Sequence, residues 1–190
     1  MSVNHWQLKG QRALITGGTK GIGRAIVEEI LNLGGQVYLV ARSAADVEST
    51  CTELRERGFE VYGEALDISD RGNRRQLIES LQNTWGGLDL LVNNVGTNIR
   101  KAASDYTPAE YHQIMETNLT ATFELCTLAY PLLKASQPAA VVNVLSVAGL
   151  THLKTGAPYG MSKAALLQMT RNLAVEWAAD GIRVNAVAPW

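Results

Sequence analysis

The stretch TGGTKGIG, from Thr16 to Gly23, decides the fold class of this chain. It follows a short apolar run, RALIT, and leads into the amphipathic run RAIVEEILNL. Glycines at 17, 21 and 23 suit a tight turn, a close backbone approach to a pyrophosphate, and close packing of a helix on a strand. The start of the helix would add free N–H groups and the positive end of its dipole. The stretch therefore predicts a dinucleotide-binding turn between a strand and a helix.

Around this turn, short apolar runs alternate with longer amphipathic runs along the chain. We predict strands at Arg12–Thr16, Val37–Ala41, Val61–Ala65, Leu88–Val92, Ala140–Val144 and Arg183–Val187. We predict helices at about 21–34, 45–57, 71–85, 108–134 and 160–179. Nearly continuous apolar runs are typical of parallel strands that helices cover on both faces. The pattern predicts an α/β fold in one domain, residues 1–190, with a single Rossmann-type doubly wound parallel sheet.

Composition argues against several classes of protein. Apolar residues make up 46% and charged residues 18% of the 190 residues, which is typical of one globular domain. The formal net charge is −1 and the basic residues are scattered, so we expect no nucleic-acid partner and no membrane partner. The chain shows no secretory signal pattern and no apolar run of the ~20 residues that span a bilayer. We therefore expect a cytoplasmic protein.

Side chains that form disulfides or bind metals are sparse. Cys51 and Cys126 lie far apart without CxxC spacing, so we predict two free, buried thiols. His5, His112 and His152 have no partners at the spacing of metal ligands, and we expect no metal site. We interpret His152 as an ordinary loop residue on a segment that could border a substrate pocket.

The glycine spacing and several later motifs resemble those of one enzyme family. TGxxxGIG is similar to the glycine turn of short-chain dehydrogenases/reductases, and NNVG at 93–96 matches the family's NNAG except at Val95. WQLKG at 6–10, NNVGTNIRK at 93–101, AYPLLKAS at 129–136 and LAVEWAADGIRVNAVAP at 173–189 resemble the tropinone-reductase-like subgroup, where valine also occurs at this position. The resemblance covers the chain apart from its first few residues.

The resemblance implies a nicotinamide dinucleotide as cofactor. The second predicted strand ends at Ala41, which stands where many NAD-dependent relatives carry an aspartate, and Arg42 follows it. An acid there would repel a 2′-phosphate, whereas a guanidinium binds it bidentately, and Lys20 would add a second positive charge. We therefore predict NADP(H). The cofactor-binding residues that the resemblance implies are Gly17, Thr19, Lys20, Gly21, Ile22, Gly23, Arg42, Asp67, Ile68, Asn94, Gly96, Tyr159, Lys163 and Pro189.

The resemblance also implies four catalytic residues: Asn118, Ser146, Tyr159 and Lys163. Ser146 stands thirteen residues before Tyr159, which is the family's usual separation. Tyr159 and Lys163 are four residues apart and would share one helix face. By resemblance, Tyr159 is the general acid/base, Lys163 stabilises its phenolate and holds the nicotinamide ribose, and Ser146 binds the substrate oxygen. By the same resemblance, Asn118 breaks the regular bonding of its helix and helps to position a relay water. These roles imply reduction of a small, possibly cyclic, ketone to a secondary alcohol.

Two other functions remain open at this point. Family members continue beyond Pro189-Trp190 with a segment that supplies a substrate-covering loop, nicotinamide contacts and a seventh strand with its helix. We therefore expect the C-terminal substrate lobe to be missing from residues 1–190, and an inactive NADP-binding fragment is one alternative. The second is a 3-oxoacyl-carrier-protein reductase, which shares the four catalytic residues, although the sequence shows no basic cluster for a carrier protein. By resemblance, the helices at about 108–134 and 160–179 would form a homo-oligomer, either a dimer or a tetramer.

Overall fold

Six parallel strands form the centre of the fold in the computed structural model, which describes residues 6–190. The strands lie in the order β3-β2-β1-β4-β5-β6. Their bounds are β1 Arg12–Thr16, β2 Gln36–Ala41, β3 Val61–Ala65, β4 Leu90–Asn93, β5 Ala139–Val144 and β6 Ile182–Val187. The strand order reverses direction between β1 and β4, which is the switch point where ligands bind in such sheets. The predicted α/β class with a single doubly wound parallel sheet is confirmed.

Within residues 6–190, six α-helices connect the strands and cover both faces of the sheet. They are α1 Gly21–Asn32, α2 Ala44–Glu56, α3 Arg71–Trp85, α4 Pro108–Met115, α5 Ala121–Ala135 and α6 Ala157–Glu176. Within residues 6–190, no helix combines the length and apolar character that crossing a bilayer requires.

The hydrophobic core has two halves, one on each face of the sheet. Leu14 of β1 packs in the half that α3, α5 and α6 cover. Its neighbours Ala13 and Ile15 pack in the half that α1 and α2 cover. Successive side chains of a strand point to opposite faces, so both faces of an apolar strand such as β1 are buried. Cys51 and Cys126 are free and buried, as predicted.

Local sequence signals set several helix ends. Asp70 caps α3 by accepting a hydrogen bond from the Asn73 N–H, and Thr107 forms a capping box with Glu110 at the start of α4. Gly86 ends α3 in the left-handed conformation, with φ of 66°. These ends agree with the predicted starts and stops.

Two predicted helices differ from the structure. The stretch predicted as one helix at 108–134 is divided into α4 and α5 by a π-helical turn at Glu116–Thr120. A π turn inserts a wider hydrogen-bonding step without breaking the helical path, so apolar periodicity does not reveal it. Helix α6 begins at Ala157 rather than at 160, which places both Tyr159 and Lys163 within it.

Candidate active site

Two adjoining cavities lie at the carboxyl ends of the strands. The larger, of about 510 Å³, is lined by predicted cofactor residues at the ends of β1, β2, β3 and β4, namely Gly17, Thr19, Lys20, Arg42, Asp67, Ile68, Asn94 and Gly96. The smaller, of about 250 Å³, is lined by Ile22, Asn94, Gly96, Ser146, Tyr159, Lys163 and Pro189 among others. Asn94, Gly96 and Thr97 line both. We call them the nucleotide cavity and the catalytic cavity.

The glycine turn between β1 and α1 uses its glycines in different ways. Gly17 and Gly21 have φ of 71° and 56°, a region that residues with a Cβ rarely adopt. A Cβ on Gly23 would lie 2.0 Å from the carbonyl oxygen of Gly17, so only glycine fits there. Gly21 and Gly23 do not line either cavity and instead shape the turn.

Gly18 was not among the predicted site residues, yet it allows the turn to pack on β2. A Cβ there would lie 2.7 Å from the Cβ of Leu39 and 3.1 Å from a methyl of Val27. The sequence shows Gly18 beside Gly17 in the turn. Only the packing distances show that Gly18 is needed for close contact with β2 and not merely for a flexible turn.

Thr16 and Asn94 join the ends of β1 and β4 beneath the nucleotide cavity. The Thr16 hydroxyl accepts a hydrogen bond of 2.9 Å from the Asn94 backbone N–H. The Asn94 side-chain amide donates to the Thr16 carbonyl at 3.0 Å and to the Gly17 carbonyl at 3.3 Å. Asn94 therefore holds the glycine turn against β4. Thr16 was missed as a site residue because its partner is 78 positions away.

The charged groups of the nucleotide cavity are not all free. Lys20 Nζ lies 2.7 Å from Asp46 Oδ2 at the start of α2, and this ammonium holds the pKa of Asp46 below its ordinary value. Arg42 makes no ion pair with any residue of the described chain, 6–190. Asp46 lines the same cavity and was not predicted, since no motif linked it to Lys20.

Asp67 and Ile68 form a rigid turn at the far end of the nucleotide cavity. The Asp67 carboxylate accepts hydrogen bonds from the N–H and hydroxyl of Ser69 at 2.9 Å and 2.8 Å. The Ile68 carbonyl accepts a hydrogen bond of 2.7 Å from Nη1 of Arg74, a buried arginine of α3. The backbone of this turn is therefore anchored to α3.

Three predicted catalytic residues meet at the catalytic cavity. The Ser146 hydroxyl oxygen accepts a hydrogen bond of 3.1 Å from the Ala148 N–H, which leaves its own proton to donate. Lys163 Nζ lies 5.8 Å from the ring centroid of Tyr159 on the same face of α6. Lys163 is 3% exposed, and this burial lowers its pKa to about 8.

Asn118 lies behind the cavity rather than on its wall. It sits on the π-helical turn, is fully buried, and its Oδ1 accepts a hydrogen bond of 2.7 Å from the Thr97 N–H. Its Nδ2 donates to the Thr97 carbonyl at 2.9 Å and to Ser162 Oγ at 3.0 Å. Asn118 therefore connects Thr97, which lines both cavities, to the turn of α6 that carries Lys163.

These features fit a dinucleotide lying across both cavities. The glycines leave room for a ligand along the turn, and a Cβ on Gly96 would lie 3.2 Å from Lys163 Nζ, where a ribose would need space. Helix α1 starts at Gly21 without any side-chain cap, so its first N–H groups face the turn unpaired by side chains. Within residues 6–190, no group of three or more His, Cys, Asp or Glu side chains could hold a metal ion, and His5 lies outside these residues.

The fold and this site define a class of protein, and comparison with known proteins gives the same class. The profile of the family described as short chain dehydrogenase matches residues 11–190. The chain belongs to this family, and the resemblance inferred from its motifs is confirmed.

Comparison with individual proteins also identifies a subgroup of this family. The chain is 47% identical over 190 residues to a chloroplastic tropinone reductase homolog of Arabidopsis thaliana, and it spans 59% of the length of that protein. It is similar in structure to RhlG of Pseudomonas aeruginosa in an active-site complex with NADP, with a TM-score of 0.91 and 37% identity over 96% of this chain and 73% of the other. A gluconate 5-dehydrogenase from Burkholderia cenocepacia, in complex with NADP and tartrate, also matches with a TM-score of 0.91 and 28% identity, over 96% of this chain and 72% of the other. The predicted likeness to tropinone reductases is therefore confirmed.

Proposed function

We propose that this protein is an NADP(H)-dependent oxidoreductase that reduces a small ketone, cyclic or acyclic, to a secondary alcohol. The observation that carries the proposal is the meeting of Ser146, Tyr159 and Lys163 at a cavity that shares three lining residues with the nucleotide cavity. Family membership and the tropinone reductase homologs among the relatives support the same reaction.

The reduction needs a hydride at the carbonyl carbon and a proton at the carbonyl oxygen. Bound NADPH supplies the hydride. Tyr159 donates the proton from its phenol, and Ser146 donates a hydrogen bond to the same oxygen as negative charge develops there. In the oxidation direction, the Tyr159 phenolate accepts the proton instead.

Lys163 stabilises the phenolate that Tyr159 leaves after proton transfer. Its ammonium lies on the same helix face, one turn along, and a cation at this distance favours the anionic form of its neighbour. Its burial makes the charge costly without a partner, so we assign it a second role in holding the nicotinamide ribose hydroxyls. Asn118 positions Thr97 and α6 around this pair, and we assign its turn the placement of a relay water.

We propose NADP(H) rather than NAD(H) because of Arg42. Its guanidinium lines the nucleotide cavity without an ion-pair partner within residues 6–190, and no carboxylate occupies the end of β2. Lys20 supports this preference less than its charge suggests, because Asp46 already pairs with it. The complex of the similar protein RhlG with NADP agrees with this preference.

The direct test is oxidation of NADPH by this chain with a panel of cyclic and acyclic ketones. We expect turnover with at least one ketone, and loss of turnover with retained NADPH binding in Tyr159→Phe. NADPH binding without turnover of any ketone would instead favour the inactive NADP-binding fragment. Turnover confined to 3-oxoacyl groups on a carrier protein would favour the reductase of that class.

We also propose that the chain forms a homo-oligomer through α5 and α6. These helices expose large apolar side chains, with Phe123 47%, Met161 51% and Val175 81% exposed. Light scattering after size-exclusion chromatography should report a dimer or tetramer, and Val175→Glu should shift it towards the monomer. A monomeric wild type would contradict this proposal. The expected cytoplasmic location stays a prediction, and one relative is named as chloroplastic.

A further inference from the structure

A third cavity, of about 540 Å³, lies beside the catalytic cavity and is bordered by basic side chains. Its walls are the segment after NNVGT and the loop between Ser146 and α6. The basic side chains are Arg100, Lys101, His152 and Lys154. We call it the basic cavity. The sequence did not reveal it, because 100–101 and 152–154 are far apart along the chain and the net charge is only −1.

The basic cavity is lined by chain neighbours of two catalytic residues. Ala148 and Gly160 line it, and they stand two residues after Ser146 and one after Tyr159. Asn98, which lines the catalytic cavity, donates a hydrogen bond of 2.7 Å to the hydroxyl of Thr155, which lines the basic cavity. A single pair of side chains therefore joins the walls of the two cavities, which share no lining residue.

Only part of the positive charge of this cavity is paired with a carboxylate in the described residues. Lys101 Nζ pairs with Glu110 at 2.5 Å. Arg100 and Lys154 make no ion pair with any other residue in the range 6–190, and no acidic residue lines the cavity. Two basic side chains without ion-pair partners in the described part of the chain thus border a concave space, and such a space raises the local concentration of anions.

We propose, resting on the reductase function above, that the ketone substrate carries an anionic group, a carboxylate or a phosphate ester. Arg100 and Lys154 bind this group while the ketone oxygen lies at Ser146 and Tyr159. Guanidinium and ammonium groups are the usual partners of both anions. Binding of the anion orients the carbonyl, so Arg100 and Lys154 determine substrate choice and take no part in proton transfer.

The concave shape favours a small ligand over a carrier protein. A docked protein needs a surface of several hundred Å² per partner, whereas this cavity matches the size of small-molecule sites. A carrier-linked substrate is nonetheless the clearest competing explanation of basic residues here, and the experiment includes it.

The test compares matched ketones by kinetics and by binding. The probes are 4-oxocyclohexanecarboxylate, its neutral methyl ester, a keto phosphate ester and a 3-oxoacyl carrier protein. We expect the wild type to prefer the carboxylate or the phosphate over the ester in kcat/KM. In Arg100→Gln/Lys154→Gln, the ratio of acid to ester should fall by about fivefold to tenfold, as expected for two exposed contacts. Arg75→Gln, an exposed arginine of α3 away from the cavity, is the control for the loss of one positive charge.

Isothermal titration with the carboxylate and with the ester separates this inference from the reductase proposal, since it needs no turnover. Binding of the carboxylate to the NADP-loaded wild type that weakens in the double variant supports the anion site. Equal binding of acid and ester, or no binding of the acid, overturns it. Reduction of neutral ketones alone would overturn only the anion site, whereas absence of all turnover with intact acid binding would overturn only the reductase proposal. A preference for the carrier-linked substrate over both small anions also overturns the inference.

Discussion

Lys163 Nζ donates a hydrogen bond of 2.9 Å to the carbonyl oxygen of Val144, which anchors the lysine of α6 to the end of β5. This bond holds the ammonium beneath the catalytic cavity but does not replace the water it loses on burial. The pKa of Lys163 is consequently lowered to about 8. An ammonium that is poorly solvated before the cofactor binds is available to the ribose hydroxyls and to the Tyr159 phenolate.

The first prediction concerns this buried charge. Between about pH 8 and 10.5, the unfolded chain keeps the Lys163 proton while the folded chain releases it, so folding becomes more favourable as pH rises. Relative to Lys163→Met, the free energy of unfolding of the cofactor-free wild type should rise by on the order of 3 kcal/mol across this window. Urea unfolding of both proteins at several pH values measures it. If the difference in free energy of unfolding between the two proteins stays constant or falls with pH, burial does not disfavour the charged form of Lys163.

The second prediction concerns cofactor choice. Arg42→Asp removes the guanidinium and adds a charge that repels a 2′-phosphate, so the preference for NADPH over NADH should fall at least about hundredfold. Asp46→Asn should act in the opposite direction, because it frees Lys20 for the phosphate, and should tighten NADPH binding by about threefold. Fluorescence titration of both nucleotides measures each change. An unchanged preference in Arg42→Asp would refute the role given to this arginine.

The third prediction concerns the glycine turn. In Gly23→Ala the new methyl would meet the Gly17 carbonyl at 2.0 Å, so the turn must shift and stability should fall by about 3 kcal/mol, with loss of nucleotide binding. Gly72→Ala is the control, since Gly72 lies exposed in the first turn of α3 and its added Cβ would meet only the Asp70 carboxylate. Thermal unfolding with and without NADPH compares the two. Equal effects would mean that close packing at Gly23 is not required.

The fourth prediction concerns Arg74, which is 2% exposed and links three parts of the site. It pairs with Glu124 at 2.8 Å and Glu116 at 3.2 Å and donates to the Ile68 carbonyl. Arg74→Met removes the donor shared by two partly exposed carboxylates and the Ile68 carbonyl, so the chain should lose about 1 to 2 kcal/mol of stability. Arg71→Met, at a largely exposed neighbour, should change stability by less than about 0.5 kcal/mol.

The substitution Arg74→Met should also increase local opening in the site itself. Ile68 lies in the nucleotide cavity, and Glu116 begins the π-helical turn that carries Asn118. Hydrogen exchange of the Ile68 turn and of residues 116–120 should therefore accelerate in Arg74→Met below its unfolding temperature. Uniform acceleration over the whole chain would indicate global destabilisation alone.

Much of the fold could be predicted because its signals are local. The strands β1 and β3 begin and end at the predicted residues, since short apolar runs between turn residues leave little freedom in placing them. Capping residues such as Asp70 and Thr107 act within one helical turn, so their effect is readable from a few neighbouring positions. The irregular bonding at Asn118 was implied by the family resemblance, but its π-helical form was not readable from local signals, because Asn118 finds its partners 21 and 44 residues away.

The sequence by itself determined the order of strands and helices, the glycine turn and the residue types that a reductase site needs. These properties follow from periodicity, backbone freedom and functional groups, which belong to single residues or short segments. Only the tertiary structure decided which charges are free, because pairing depends on distance in space. In the folded chain, Lys20 pairs with Asp46 and Lys163 is buried away from water. Arg100 and Lys154 line one cavity together with Gly160, the residue after Tyr159.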